Sequence, residues 1–373
     1  MNPAIAPNNL EADAHFERLL KHEDNVSNLL AFLAALDPEP LAQLLGIPAA
    51  GLQVRRETNL TGKNGRSDFI VWNEDAARAI VELKVAAVEH GDQLSRYEAW
   101  ADEHSIQGEL PVQCLVVDLL AFDYGTTERW QRKTLSEIAC LWDASPNDQA
   151  RLLASSMRRV FDNWEAQLDY PIGAASSTVV ATMAVKRAST SLLNSPWKEA
   201  QHPDLTRLTA FTDSGGNPAT YHFIPFPNQS PNCWLSLDIR AGKSGKSSNS
   251  WAFRMGVDVD RGQRPLDEAK DEAWNLAQQL QPYLDFESFH AYLESTAHNE
   301  LAKTLQGGGV GTGFQKQGTG HLGSGFYQDG GLRLASQFCL DAAKVSPNDL
   351  TLLMQCAFDY LHSSALDSAR PPS

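Results

Sequence analysis

The chain has 373 residues, enough for about two or three domains and a sizeable core without covalent staples. Apolar residues make up 42% and charged residues 21%, an ordinary globular balance. The net charge of −15 argues against a general polyanion binder, yet residues 151–250 carry ten Lys/Arg against seven Asp/Glu, which leaves room for a local basic stripe. The five cysteines are scattered and form no Cys-x-x-Cys pair, which argues against a disulfide framework, a zinc ribbon or a cysteine-held cluster. A reducing cytoplasm is the expected compartment. Residues 1–10 carry neither a basic segment nor an apolar run, so no signal peptide is expected. No apolar stretch reaches the roughly 18–20 residues that span a bilayer.

Residues 10–36 read as one amphipathic helix, with Phe16, Leu19, Leu20, Val26, Leu29, Leu30 and Leu33 at helical spacing. Asp37-Pro38 ends it. A short helix over 40–45 stops at Gly46. The period then changes to two. Strands are predicted over 52–60, 67–72 and 77–85, separated by Thr61–Gly65 and Asn73–Asp75 turns. A helix over 92–103 and a buried strand over 111–121 follow. The α–β–β–β–α–β order predicts an α/β core with a mixed sheet. Residues 133–142 and 146–168 read as helices. A domain boundary is placed at 170–200. Beyond it, strands are predicted over 208–211, 221–225, 234–239 and 251–257, and helices over 266–281, 286–305 and 332–363. The glycine-rich stretch 307–331 reads as a flexible loop.

The chemistry concentrates between Arg66 and Tyr97. Glu82 and Lys84 are two apart on one strand and share a face. Asp68, on the preceding strand, joins them if the two strands are neighbours. A solvated charged face is the plain alternative. Against it, Ala79, Ile80, Val81, Leu83 and Val85 make the strand markedly apolar, and buried charges there need partners or a metal.

This stretch resembles the PD-(D/E)XK nuclease superfamily, through Ser67-Asp68 on one strand and Val81-Glu82-Leu83-Lys84 on the next. Gln93-Leu94-Ser95-Arg96-Tyr97 resembles the Gln-x-x-x-Tyr motif of its RecB-type members. Glu23 resembles the leading acidic residue, with Glu17, His22 and Asp24 as alternatives. Ser67 departs from the proline that precedes the aspartate in the family name. The resemblance covers residues 10–125. It implies a restriction-endonuclease-like core within residues 1–170. The strands and helices beyond it read as a second α+β domain at 171–373, whose role the motif does not reach; substrate selection or sensing is the expectation. It also implies Mg²⁺, with Mn²⁺ able to substitute, held by Asp68, Glu82, the Leu83 carbonyl and Glu23. Lys84 would orient or deprotonate the attacking water, or stabilise charge. Gln93 and Tyr97 would position the substrate and Lys84. Arg66 and Arg96 are candidates for phosphate contact or plain surface charge. The implied activity is phosphodiester hydrolysis, endonucleolytic or exonucleolytic, on DNA ahead of RNA, with anti-phage defence as a setting. A catalytically silent binding or sensor protein is the competing reading. No membrane association is expected; a homo-oligomer or a partner protein would fit.

Two other motifs are set aside. Gly242–Ser247 lacks the first glycine of a phosphate-binding loop, since Arg240 stands there, although Lys243 and Lys246 could touch nucleic acid. Gly318–Gly323 spells Gly-x-Gly-x-x-Gly but follows no predicted strand. Trp234, Trp251 and Phe253 fall in strands and read as core.

Overall fold

In the computed structural model the N-terminal apolar stretch forms two helices, α1 (Leu10–Leu20) and α2 (Glu23–Leu36), where the spacing predicts one. The break is local. His22 is extended, with φ −105° and ψ 126°. The Asn25 side chain donates to the Leu19 carbonyl at 2.9 Å and satisfies the end of α1. Glu23 and Asp24 then open α2, where acidic groups suit the positive end of the helix dipole. The break therefore makes Glu23 the first residue of a helix.

The structure describes residues 10–60, 65–85, 92–107, 109–120, 128–207, 211–213, 215–241, 250–307, 316–317, 321–322, 327–329 and 332–368. They fall into two units, Met1–Ala166 and Gln167–Ser373.

In the first unit α3 (Glu39–Leu45) precedes a five-stranded sheet. Strands β1 (Leu52–Asn59), β2 (Arg66–Asn73) and β3 (Ala76–Lys84) form an antiparallel meander. Helix α4 (Gln93–Glu103) crosses over to β4 (Gln113–Asp118), which runs parallel to β3. β5 (Trp130–Thr134) adds a second parallel pairing where a helix is predicted from 133. Its polar Gln131-Arg132-Lys133 lacks the apolar alternation that marks a strand. Helices α5 (Leu135–Cys140) and α6 (Asp148–Gln167) complete the unit. Between α4 and the sheet lies a core that includes Ile70, Ile80, Leu94, Tyr97, Trp100, Cys114 and Val116. Tyr97 is thus anchored as a core residue while its hydroxyl reaches the strand ends.

The second unit begins with α7 (Thr178–Leu193) and α8 (Pro196–Gln201), in a stretch read as a boundary. Helix α7 is rich in Ala, Val, Thr and Ser and is buried along most of its length, so it shows little amphipathic contrast. An antiparallel sheet follows, built from β6 (Thr206–Arg207), β7 (Ala219–Pro225), β8 (Cys233–Arg240) and β9 (Ser250–Val259). Next come α9 (Leu266–Leu280), α10 (Phe286–Ser295), α11 (Asn299–Ala302) and β10 (Leu305–Gln306). Within the glycine-rich stretch three short strands are described, β11 (Lys316–Gln317), β12 (His321–Leu322) and β13 (Tyr327–Asp329). The rest of that loop expectation, including Gly318, Gly320 and Gly323, lies outside the described residues, as do Lys243 and Lys246.

Residues predicted as the start of the last helix are instead β14 (Arg333–Asp341), paired with β9. Helix α12 (Pro347–Ser368) follows. Phe338 of β14 stacks on Phe253 and on Phe289 of α10, with ring centroids 6.4 and 6.2 Å apart. That tertiary contact decides the element. Trp251 and Phe253 are buried, while Trp234 is half-buried and edge-on to Phe223. No helix among the described residues is long and apolar enough to cross a membrane.

One buried group sets a pH limit on the second unit. The His222 ring nitrogen Nε2 is 3.1 Å from Ser189 Oγ and 2.9 Å from Thr220 Oγ1. Burial, helped by the Arg207 charge, pushes this imidazole down to about 3. Below its ordinary value of 6.5 the unfolded chain takes up a proton that the folded chain refuses. Stability from this residue is therefore full above pH 6.5 and falls as pH drops toward 3. Between pH 7.5 and 5 the expected loss is about 2 kcal/mol. Urea unfolding of wild type and His222→Gln across this range measures it. A difference between the two that stays flat with pH refutes the assignment.

Candidate active site

The site begins where the β2–β3 ladder ends. The last paired residues are Phe69 and Val81. One residue further, the Asp68 side chain takes over, its Oδ2 accepting the Leu83 N–H at 2.6 Å. A strand residue points its N–H and C=O to the same edge, so the Leu83 carbonyl is turned toward the same gap. The substitution of side chain for main chain brings a carboxylate beside the Glu82 strand.

Glu82 and Lys84 lie on the α4 side of β3 and are both buried. Lys84 Nζ donates to Glu82 Oε1. Gln93 Nε2 donates to the same oxygen at 2.7 Å, and also contacts the Tyr97 hydroxyl at 2.8 Å. Lys84 Nζ is 3.4 Å from Gln93 Oε1. The Tyr97 hydroxyl donates to the Arg66 carbonyl at 2.6 Å, tying α4 to the start of β2. From the opposite side of the sheet, Glu23 Oε1 accepts the Val85 N–H at 2.8 Å, just past the end of β3. Of the alternatives for the leading acid, Glu17 is engaged elsewhere, accepting from Trp164 Nε1 at 3.1 Å.

The structure thus brings Glu23, Asp68, Glu82, Lys84, Gln93 and Tyr97 together. Arg66 is exposed at the first position of β2. Arg96 pairs with Asp92 at 3.0 Å and lies over Gly65, its Nη1 3.1 Å from where a Cβ would stand. Gly65 has φ +89°, so a side chain there would be strained as well as crowded. Two contributors escaped the sequence reading. Arg56 of β1 donates from Nε to Ser27 Oγ at 2.9 Å, from Nη2 to the Asp24 carbonyl at 3.0 Å, and from Nη1 to Asn28 Oδ1. Ser27 in turn donates to the Asp68 carbonyl at 3.3 Å. No local pattern marks either residue; only the serine's place one turn after Glu23 hints at it.

Electrostatics follow from crowding. Burial raises the Asp68 carboxyl above its usual range, although the Leu83 N–H and Lys84 pull the other way. Burial pushes Glu82 up to about 8, with Lys84 opposing and Asp68 and Glu23 reinforcing. For Lys84 burial opposes the charge, but Glu82, Glu23 and Asp68 outweigh it and hold the ammonium above its ordinary value. Burial and the Glu82 charge raise the Tyr97 phenol, which stays a neutral hydrogen-bond donor. Glu23, Asp68 and Glu82 therefore crowd the Lys84 ammonium, and burial and this crowding together let Glu82 keep its proton to about pH 8. Glu82 Oε2 is buried and has no hydrogen-bond partner among the described residues. A buried carboxylate oxygen left this way is costly unless something positive meets it.

That donor set suits a hard divalent cation. Among the described residues no three His, Cys, Asp or Glu side chains gather closely enough to hold an ion alone. Mg²⁺ asks for less, since one or two carboxylates, with waters filling the remaining positions, suffice. Asp68, Glu82 and the Leu83 carbonyl meet that demand.

Comparisons with curated proteins and with solved structures find no match. A family model described as the PD-(D/E)XK nuclease superfamily matches residues 15–170, the span that holds the sheet and every residue of the site. The match covers less than half of the chain, and over that span the chain is similar to the PD-(D/E)XK nuclease superfamily.

Proposed function

We propose that this protein is a divalent-metal-dependent nuclease that hydrolyses phosphodiester bonds in DNA. The observation that carries the reading is the buried Glu82 oxygen without a partner, set beside Asp68 where the β2–β3 ladder opens. Asp68, Glu82 and the Leu83 carbonyl would hold Mg²⁺ or Mn²⁺, with Glu23 behind them. When bound, the ion supplies Lewis acidity toward water and charge compensation for the phosphate. The Lys84 ammonium donates hydrogen bonds to the oxygen on which charge develops, which is worth most in a dry site. Gln93 fixes Glu82 and Lys84, and Tyr97 fixes Gln93; this pair is our reason to group the chain with RecB-type members. Arg66, which is exposed, and Arg96 are candidates for contact with substrate phosphates, and Lys243 and Lys246 are further candidates. The second unit would select or sense the substrate. A cytoplasmic role in defence against foreign DNA goes with this reading and rests on the family likeness alone.

The test incubates the full chain with supercoiled plasmid, single-stranded DNA and single-stranded RNA. Each is run with Mg²⁺, with Mn²⁺ and with EDTA. DNA cleavage that EDTA abolishes is the expected result. No cleavage of any substrate with either metal overturns the enzyme reading in favour of a silent binding protein. Cleavage of RNA alone overturns the DNA assignment.

A further inference from the structure

We infer that Arg56 is a positioning residue for this site, locking the helix that carries Glu23 onto the strand that carries Asp68. The inference rests on the metal-nuclease reading above. Arg56 is on β1, paired in register with Phe69, the neighbour of Asp68. Its guanidinium reaches Asp24, Ser27 and Asn28, which lie on one face of the first two turns of α2. Glu23 is the residue just before that face. Ser27 is the relay: buried, it accepts from Arg56 and donates to the Asp68 carbonyl. One side chain therefore sets both the rotation of α2 and its height along β2.

Apolar packing alone could not do this. Val26, Leu30 and Leu33 bury the helix against the sheet, but hydrophobic contact is non-directional and tolerates sliding. Glu23 is also the first residue of its helix, the position most prone to fray. The Glu23–Val85 bond spans the sheet edge at 2.8 Å, so a small rotation of α2 breaks it. A planar guanidinium with several donors fixes such a geometry. A lysine ammonium at the same place keeps the charge but not the fork.

The experiment uses the full chain with Arg56→Met, Arg56→Lys and Glu23→Gln, singly and combined. Arg56→Met is expected to lower kcat on DNA at least about tenfold, with KM within about twofold, because misplacement near a reacting centre acts on turnover. The Mn²⁺ concentration for half-maximal rate should rise several-fold, and Arg56→Lys should fall between wild type and Arg56→Met. In the Glu23→Gln background Arg56→Met should add little. Full additivity, or an unchanged kcat, overturns the inference. A wild type that cleaves nothing overturns the nuclease reading instead. Amide exchange at Val85, measured against Ile80 of the same strand, tests the positioning without any activity. It should be at least about tenfold faster in Arg56→Met, relative to Ile80; an unchanged ratio overturns the inference whatever the protein cleaves.

Discussion

Lys84→Ala is expected to lower the turnover of the proposed DNA cleavage by about 10³-fold or more and to leave KM within a few-fold. Among the described residues the Lys84 ammonium faces Glu23, Asp68 and Glu82, and its charge is held by them rather than by solvent. Removing it takes away the donor proposed to meet developing charge and leaves Glu82 buried without its cation. A lone buried charge of that kind destabilises by about 3–5 kcal/mol, reduced where the carboxyl takes up a proton instead. Steady-state kinetics must therefore be paired with circular dichroism on the same preparation. A folded Lys84→Ala protein that turns over within tenfold of wild type removes Lys84 from the mechanism.

Asp68→Ala should act on metal binding and on the fold at once, because its carboxylate has two duties. It accepts the Leu83 N–H in place of a ladder carbonyl. Deleting the acceptor leaves that N–H buried and unpaired, a loss of about 1–3 kcal/mol. On the proposed reading it also removes a metal ligand. In wild type, Mn²⁺ at a hundred times its dissociation constant should add about 2.7 kcal/mol of stability. Asp68→Ala should show neither the metal-free stability nor the Mn²⁺ increment. Asp68→Asn keeps an oxygen to accept from Leu83 and should recover most of the first but not the second. Thermal unfolding with and without Mn²⁺ separates the two. An undiminished Mn²⁺ increment in Asp68→Asn would show that the ion is held elsewhere.

What could be read beforehand divides along the range of the interactions. The β2 and β3 strands and the shared face of Glu82 and Lys84 are local, set by a period of two in an apolar run. Gln93 and Tyr97 share a helical face for the same reason. The break between α1 and α2 was hidden because Lys21-His22 contains neither proline nor glycine. It depends on Asn25 capping Leu19 and on the acidic start of α2. Position 23 could therefore be named only beside Glu17, His22 and Asp24. The pattern over β14 predicts helix because its pairing with β9 and the stacking of Phe338 come from distant parts of the chain. Arg56 could not be found at all from sequence, since its partners on α2 lie 28 to 32 positions away.

The break at His22 has a consequence for the order of folding. Gln93 meets Glu82 across 11 positions of chain and Asp68 meets Leu83 across 15, whereas Glu23 meets Val85 across 62. Short loops close with less entropy loss than long ones, and local contacts form sooner. The β2–β3 hairpin and α4 can thus assemble Asp68, Glu82, Lys84 and Gln93 while α2 is still undocked. The arrival of Glu23 is then a late step, and a chain caught short of it carries a nearly complete cluster that lacks its first acid.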